Sequence, residues 1–237
     1  VGIGNPAVHQ TFDWYRKTFG TDIPIFEEAA EAGLMLPYTG GEPRQRHALL
    51  AINIQGGGGL EIWQYTSRTP VGPDFEPQLG DTGIHIAKYK SRDVAACYRQ
   101  FQTKGIDLLG APSNDPSGNP HFYLKDLHGN LCEVVQTTDQ WFRKGDYLTG
   151  GVYGCTLGVS DVAKAKTFYG DILGYDEVVY EKEGTFADLE VLAGGKGHTF
   201  KRVLLKHSQA RQGAFSRMLG PSLMELIQVL DREPRKI

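Results

Sequence analysis

The chain has 237 residues, a formal net charge of -3 and a pI near 6.2. That length suits one large or two modest domains, and the charge gives no overall pull toward nucleic acid. No apolar run approaches the ~20 residues of a membrane span. No leader segment is visible, and Cys97, Cys132 and Cys155 form neither a disulfide framework nor a CxxC pair. A reducing cytoplasm is therefore the default compartment.

The 30 glycines point to many turns and a sheet-rich protein. In chain order, a strand over Val1–Gly4 leads into a helical stretch with Trp14-Tyr15 that ends at Gly20. Strands are expected near Ile23–Phe26 and Leu49–Ile54, and Gly56–Gly59 makes a hairpin turn before Leu60-Glu61-Ile62-Trp63-Gln64. The proline-rich stretch Ser67–Gly80 reads as a linker. A strand over Gly83–Tyr89 precedes a helix that ends at Gly105. Further strands follow near Ile106–Leu109 and Phe122–Lys125, then a turn at Asp126–Asn130 and the strand Cys132-Glu133-Val134-Val135-Gln136. The third stretch starts with a strand over Tyr153–Val159. Ser160-Asp161 supplies a helix N-cap, and Phe168-Tyr169 leads to Gly174. Strands near Glu177–Tyr180 and Phe200–Lys206 precede Met224-Glu225-Leu226-Ile227-Gln228.

The same unit thus occurs three times: strand, helix ended by glycine, then about three strands with Glu in the last and Gln three residues later. The fold class is α+β, with three βαβββ modules paired into a curled mixed sheet around a metal-binding cleft. Residues 1–67 form module 1, 68–80 the linker, 81–145 module 2 and 151–232 module 3. Modules 1 and 2 are expected to pair. Module 3 then lacks a partner, which a fourth module beyond Ile237 or a second copy in a homodimer would supply.

His85 precedes Gly105 by 20 residues. The same count from Gly174 reaches Gly154, and from Gly20 it reaches the position before Val1, so chain upstream of Val1 is expected. Alternation sets His85 on the strand face opposite Ile84 and Ile86, and a polar side chain inside an apolar strand needs a partner. Glu61 and Glu133 are flanked by apolar neighbours in the same way, so all three are expected to face a cleft.

The repeated unit resembles the vicinal oxygen chelate superfamily, the glyoxalase, bleomycin-resistance and extradiol-dioxygenase group. The resemblance rests on His85-Ile86-Ala87, Gly118 through Asp126, Gly129–Glu133, Gly59-Leu60-Glu61 and Leu157–Asp161 with Phe168-Tyr169 and Leu173-Gly174. It implies a divalent metal (Zn, Ni, Co, Mn or Fe) held by Glu61, His85, Glu133 and the residue before Val1. It also implies a small-molecule substrate bound through adjacent oxygens, with no role for nucleic acid or membrane. The implied activity is that of a glyoxalase-like lyase or isomerase, with Glu133 first and Glu61 second as general base. Two alternatives share the fold: Fe(II)-dependent extradiol ring cleavage, and metal-free ligand binding of the bleomycin-resistance kind. Glu225 matches Glu133 by register, but Gly154 stands where a histidine would be needed. His121 begins a strand and is read as a core or surface residue, and His128 as an exposed turn residue. Trp63, Phe122 and Tyr123 read as packing aromatics.

Overall fold

Glycine and aspartate set the ends of the helices. In the computed structural model, which describes residues 1–237, helix α1 (Val8–Phe19) ends on Gly20 and helix α3 (Val162–Leu173) on Gly174, both in the left-handed conformation. Asp93 caps helix α2 (Val94–Thr103) by accepting from the Ala96 amide, and Asp161 caps α3 by accepting from the Lys164 amide at 3.0 Å. α1 lacks such a side-chain cap, but the Gln64 side chain accepts from the Val8 amide at 3.0 Å. Gln136 and Gln228 receive the amides of Val94 and Val162 in the same way. The Gln of the repeated Glu-x-x-Gln run therefore ties the last strand of each module to the start of its helix.

The strands follow the predicted order. Module 1 holds β1 (Gly2–Gly4), β2 (Ile23–Glu31), β3 (Gln45–Ile52) and β4 (Gly59–Tyr65). Module 2 holds β5 (Gly83–Ser91), β6 (Asp107–Asn114), β7 (Pro120–Lys125) and β8 (Leu131–Gln136). Module 3 holds β9 (Thr149–Gly158), β10 (Glu177–Gly184), β11 (Phe200–Lys206) and β12 (Leu223–Val229). In each module the first strand pairs with the last in parallel, and the other pairings are antiparallel.

The partnership of the modules differs from the expectation. β5 pairs antiparallel with β9, which joins modules 2 and 3 into one eight-stranded curled sheet of order β10-β11-β12-β9-β5-β8-β7-β6. Module 1 keeps a separate four-stranded sheet, β1-β4-β3-β2. Its contact with module 2 is made through the helix-covered sides: Tyr15, Phe19, Leu49, Leu60 and Ile62 share a core with Tyr89, Phe101, Phe122 and Val134. Phe19 and Tyr89 stack with ring centroids 3.9 Å apart. The reason lies in the edges. A first strand has one edge free after pairing with its module's last strand, and β5 and β9 satisfy each other's backbone groups there. The apolar helix sides of modules 1 and 2 are then left to pack together.

Alternation divides the eight-stranded sheet cleanly. Ala87, Tyr89, Cys132, Val134, Phe122 and Leu124 lie in the core with module 1, and Val203, Leu205, Met224 and Leu226 lie under α3. The opposite, concave face carries Ile86, Lys88, His121, Tyr123, Glu133, Tyr180, Arg202 and Glu225. The segment between β10 and β11 folds over one end of this face, where Leu189 and Leu192 pack on Ile86, Tyr123, Phe200 and Ile227. The opposite end stays open. No helix is long and apolar enough to cross a membrane.

Candidate functional site

The concave face gathers a buried network of charges. Glu133 stands opposite Lys88 on parallel neighbouring strands, and Glu225 stands opposite Thr156 in the same way. The Lys88 ammonium is bonded to Glu133 Oε2 and lies 2.8 Å from Glu225 Oε2, so one cation bridges the last strands of two modules. Arg202 Nε donates to Glu225 Oε1 at 2.8 Å, and its Nη1 donates to Asp188 Oδ2 at 2.7 Å. The Tyr180 hydroxyl donates to Glu225 Oε1 at 2.7 Å, and Thr156 Oγ1 donates to Oε2 at 3.0 Å. His121 Nδ1 lies 2.9 Å from Glu133 Oε1 without hydrogen-bonding alignment, and its Nε2 lies 3.5 Å from Asp188. All these side chains are at least nine-tenths buried.

Burial alone would raise the Glu133 and Glu225 carboxyls. The Lys88 ammonium and His121 outweigh it at Glu133, and Arg202 and Lys88 outweigh it at Glu225, so both are held below the usual carboxylate range. Burial would likewise lower Lys88, but the two carboxylates push it above its ordinary value. The ionised network is thus self-consistent at neutral pH: each buried charge has an opposite charge in contact, as burial demands.

A cavity of about 310 Å³ opens on this network from the uncovered end. Lys88, Glu133 and Tyr180 line its floor, Val135, Val179, Leu204 and Leu223 its walls, and Asn119, Asp139, Tyr153 and Lys206 its mouth. A second cavity of about 290 Å³ adjoins it, sharing Asp139, Tyr153, Lys206 and Leu223. That outer cavity adds His207, Arg211 and Arg217, so basic side chains outnumber the one carboxylate, Asp139.

The three predicted metal-site residues are not brought together. Glu133 lies in the network just described. Glu61 is in the separate four-stranded sheet, opposite Gly2 on β1. His85 lies at an irregularity between Ile84 and Ile86 in the β5–β9 ladder, where its ring Nε2 donates to the Asp81 carbonyl at 2.6 Å. Burial lowers its pKa. The register of β5 against β8 is the physical reason for the difference. That ladder runs unbroken from Ile86 to Ser91 with Lys88 opposite Glu133, so alternation sets Ile86 and Lys88 on the face of Glu133 and leaves His85, one residue before the ladder, off it. Structural register places Gly2, Lys88 and Thr156 opposite the three repeated glutamates, 18, 17 and 18 residues before the glycines at 20, 105 and 174. Gly154 is fixed by geometry: φ is +153°, and a Cβ there would sit 2.0 Å from the Leu223 carbonyl oxygen. His121 is fully buried in the network, and His128 is half-buried with its Nε2 2.8 Å from Thr11 Oγ1, at the contact between modules 1 and 2.

Lys88, Arg202, Asp188 and Tyr180 fall outside the sequence-based expectation. A signal exists for one of them: Lys88 stands between Ala87 and Tyr89 as Glu133 stands between Cys132 and Val134, whereas Arg202 follows Lys201 in a strand that also ends on Lys206. Asp188 comes from a segment between strands and carries no such pattern. The three metal-type donor groups that do converge lie elsewhere, on the outside of module 1: His9, Glu27 and His47.

Paired βαβββ modules whose sheets curl around a polar cleft define a class of proteins. The chain has the vicinal oxygen chelate fold. It aligns over 98% of its length with 66% of a mutant form of glyoxalase I from Zea mays, at a TM-score of 0.57 and 14% identity. A second structure of glyoxalase I from Zea mays aligns with 98% of this chain and 66% of its own at a TM-score of 0.53 and 12% identity. A candidate dioxygenase from Bacillus subtilis aligns over 96% of this chain and 83% of its own, with a TM-score of 0.52 and 13% identity. The chain spans about two thirds of the maize enzyme's length. No family model matches the sequence, and no curated protein matches it.

Proposed function

We propose that the cleft between modules 2 and 3 binds a small organic anion without a metal, with Lys88 neutralising the carboxylates at its floor. The observation that carries this reading is the Lys88 ammonium, which bridges Glu133 and Glu225 at the centre of the concave face. A metal there would have to displace a cation already satisfied by two buried carboxylates. The imidazole expected beside Glu133 is turned to the Asp81 carbonyl. Both the glyoxalase-like reaction and iron-dependent ring cleavage call for an imidazole–carboxylate ligand set, and His85, Glu61 and Glu133 do not assemble one. The basic mouth formed by Lys206, Arg211 and Arg217 favours an anionic ligand, whose polar end would reach Tyr180 and Lys88.

The test uses a His9→Ala/His47→Ala variant, which removes the surface donors and leaves the cleft intact. Elemental analysis after exposure to Zn, Ni, Co, Mn or ferrous iron is expected to find no stoichiometric metal. One equivalent that disappears with Glu133→Gln would overturn the reading. Thermal melting against a panel of small carboxylates and phosphates is expected to find a stabilising compound whose affinity falls about tenfold in Lys206→Met. Stabilisation by neutral compounds alone would also overturn it.

A further inference from the structure

We propose that His9, Glu27 and His47 form a binding site for a divalent transition-metal ion, separate from the cleft. The three side chains come from α1, β2 and β3, so only the folded module brings them together. Both imidazoles turn Nε2 toward the same carboxylate oxygen. His47 Nε2 lies 2.8 Å from Glu27 Oε1, and His9 Nε2 lies 3.6 Å from it. The donor atoms of all three residues lie within 4.8 Å of one another.

These spacings suit an ion. Donors at about 2.0–2.1 Å from a tetrahedral metal stand roughly 3.3 Å apart, and the two measured separations fall on either side of that value. Two imidazoles and one carboxylate match Zn, Ni or Co better than Mg or Ca, which prefer oxygen donors. The side chains of His9 and Glu27 are 71% and 42% exposed, so water can complete the coordination shell.

An ordinary surface ion pair is the competing account. It would need only one imidazole, yet the two rings meet edge to face at 5.1 Å around the same oxygen. No other cation competes for Glu27: Arg46 is on the opposite strand face, paired with Glu28. The ion would have a mechanical effect, because β2 is the edge strand of the four-stranded sheet. Coordination would tie that edge to the first turn of α1.

Isothermal titration of the full chain with ZnCl2, and visible absorbance with CoCl2, test the site. One equivalent is expected, with affinity at least tenfold weaker in His9→Ala, His47→Ala and Glu27→Gln and unchanged in His198→Ala, which removes a surface imidazole paired with Asp231 elsewhere. Added Zn should raise the melting temperature of the wild type and of His198→Ala, and not that of His47→Ala. Absence of stoichiometric binding would overturn the proposal, as would binding untouched by the three substitutions or abolished by His198→Ala. All three residues are at or near the surface, so their variants retain the fold.

Discussion

Lys88 and Glu133 face each other from parallel neighbouring strands, both almost completely buried, and their ion pair extends to Glu225 of the next module. The contact joins modules 2 and 3 electrostatically at the point where β5 and β9 join them through the backbone. Taking one partner away leaves charge in the protein interior, and the cost of that is larger than the net worth of the pair.

Lys88→Met is therefore expected to destabilise the protein by about 3–5 kcal/mol. Combining it with Glu133→Gln removes one uncompensated charge and should recover part of that loss. Urea unfolding of the two single variants and the double variant measures the coupling. Equal additive losses would show that the two side chains do not interact.

Gly154 stands beside Lys88 on β9 with a backbone that L side chains rarely adopt, and the Leu223 carbonyl oxygen occupies the space of a Cβ. Gly154→Ala should cost at least about 1–3 kcal/mol from backbone strain alone. The loss arises in the β9–β12 ladder, so amide exchange should accelerate on those strands before it does in module 1.

Asp81 holds the end of the chain against the linker. Its carboxylate accepts from Arg232 Nη1 at 2.7 Å, from the Arg235 amide at 2.9 Å and from the Gln78 amide at 2.9 Å. Burial would raise its pKa, but the Gln78 and Arg235 amides and the Arg232 guanidinium outweigh it and lower the value to about 2. A depressed carboxyl stabilises the fold above its unfolded pKa of 3.8, and that contribution disappears as pH falls from there through about 2. Asp81→Asn should cost roughly 3 kcal/mol at neutral pH and should flatten this part of the acid unfolding curve.

Lys90 lies between Trp141 and Tyr153 and donates to the Gln140 carbonyl at 2.8 Å. Burial lowers its pKa to about 8, with Arg92 adding to the effect and Asp139 opposing it. Between about 8 and its ordinary 10.5 the unfolded chain holds the proton that the folded chain has released. Stability attributable to Lys90 therefore rises with pH across that window. The difference in melting temperature between wild type and Lys90→Met, followed from pH 7.5 to 9.5, should move in favour of the wild type. No change would refute the assignment.

The local elements were readable because their signals are local. Gly20 and Gly174 end helices through their own backbone freedom, Asp161 caps through its own side chain, and the Glu-x-x-Gln runs sit in strands because apolar residues alternate around them. The three-module plan follows from those signals and their repetition. Glu133 was also legible as a cleft residue, since a carboxylate amid apolar neighbours stands out in any register.

The contents of the cleft depended on relations no local pattern carries. The register of β5 against β8, which no local pattern fixes, sets Lys88 opposite Glu133 and puts a lysine where an imidazole was expected. Asp188 arrives from a connecting segment, and Arg202 from a strand more than sixty residues away from Glu133. The choice of module partner was likewise settled by sheet edges and by the fit of two helix-covered faces. Sequence by itself determined the units, because hydrogen bonding and burial within one unit are short-range. Only the tertiary structure decided what the units enclose, because a buried charge is stabilised by whichever opposite charge the packing brings to it.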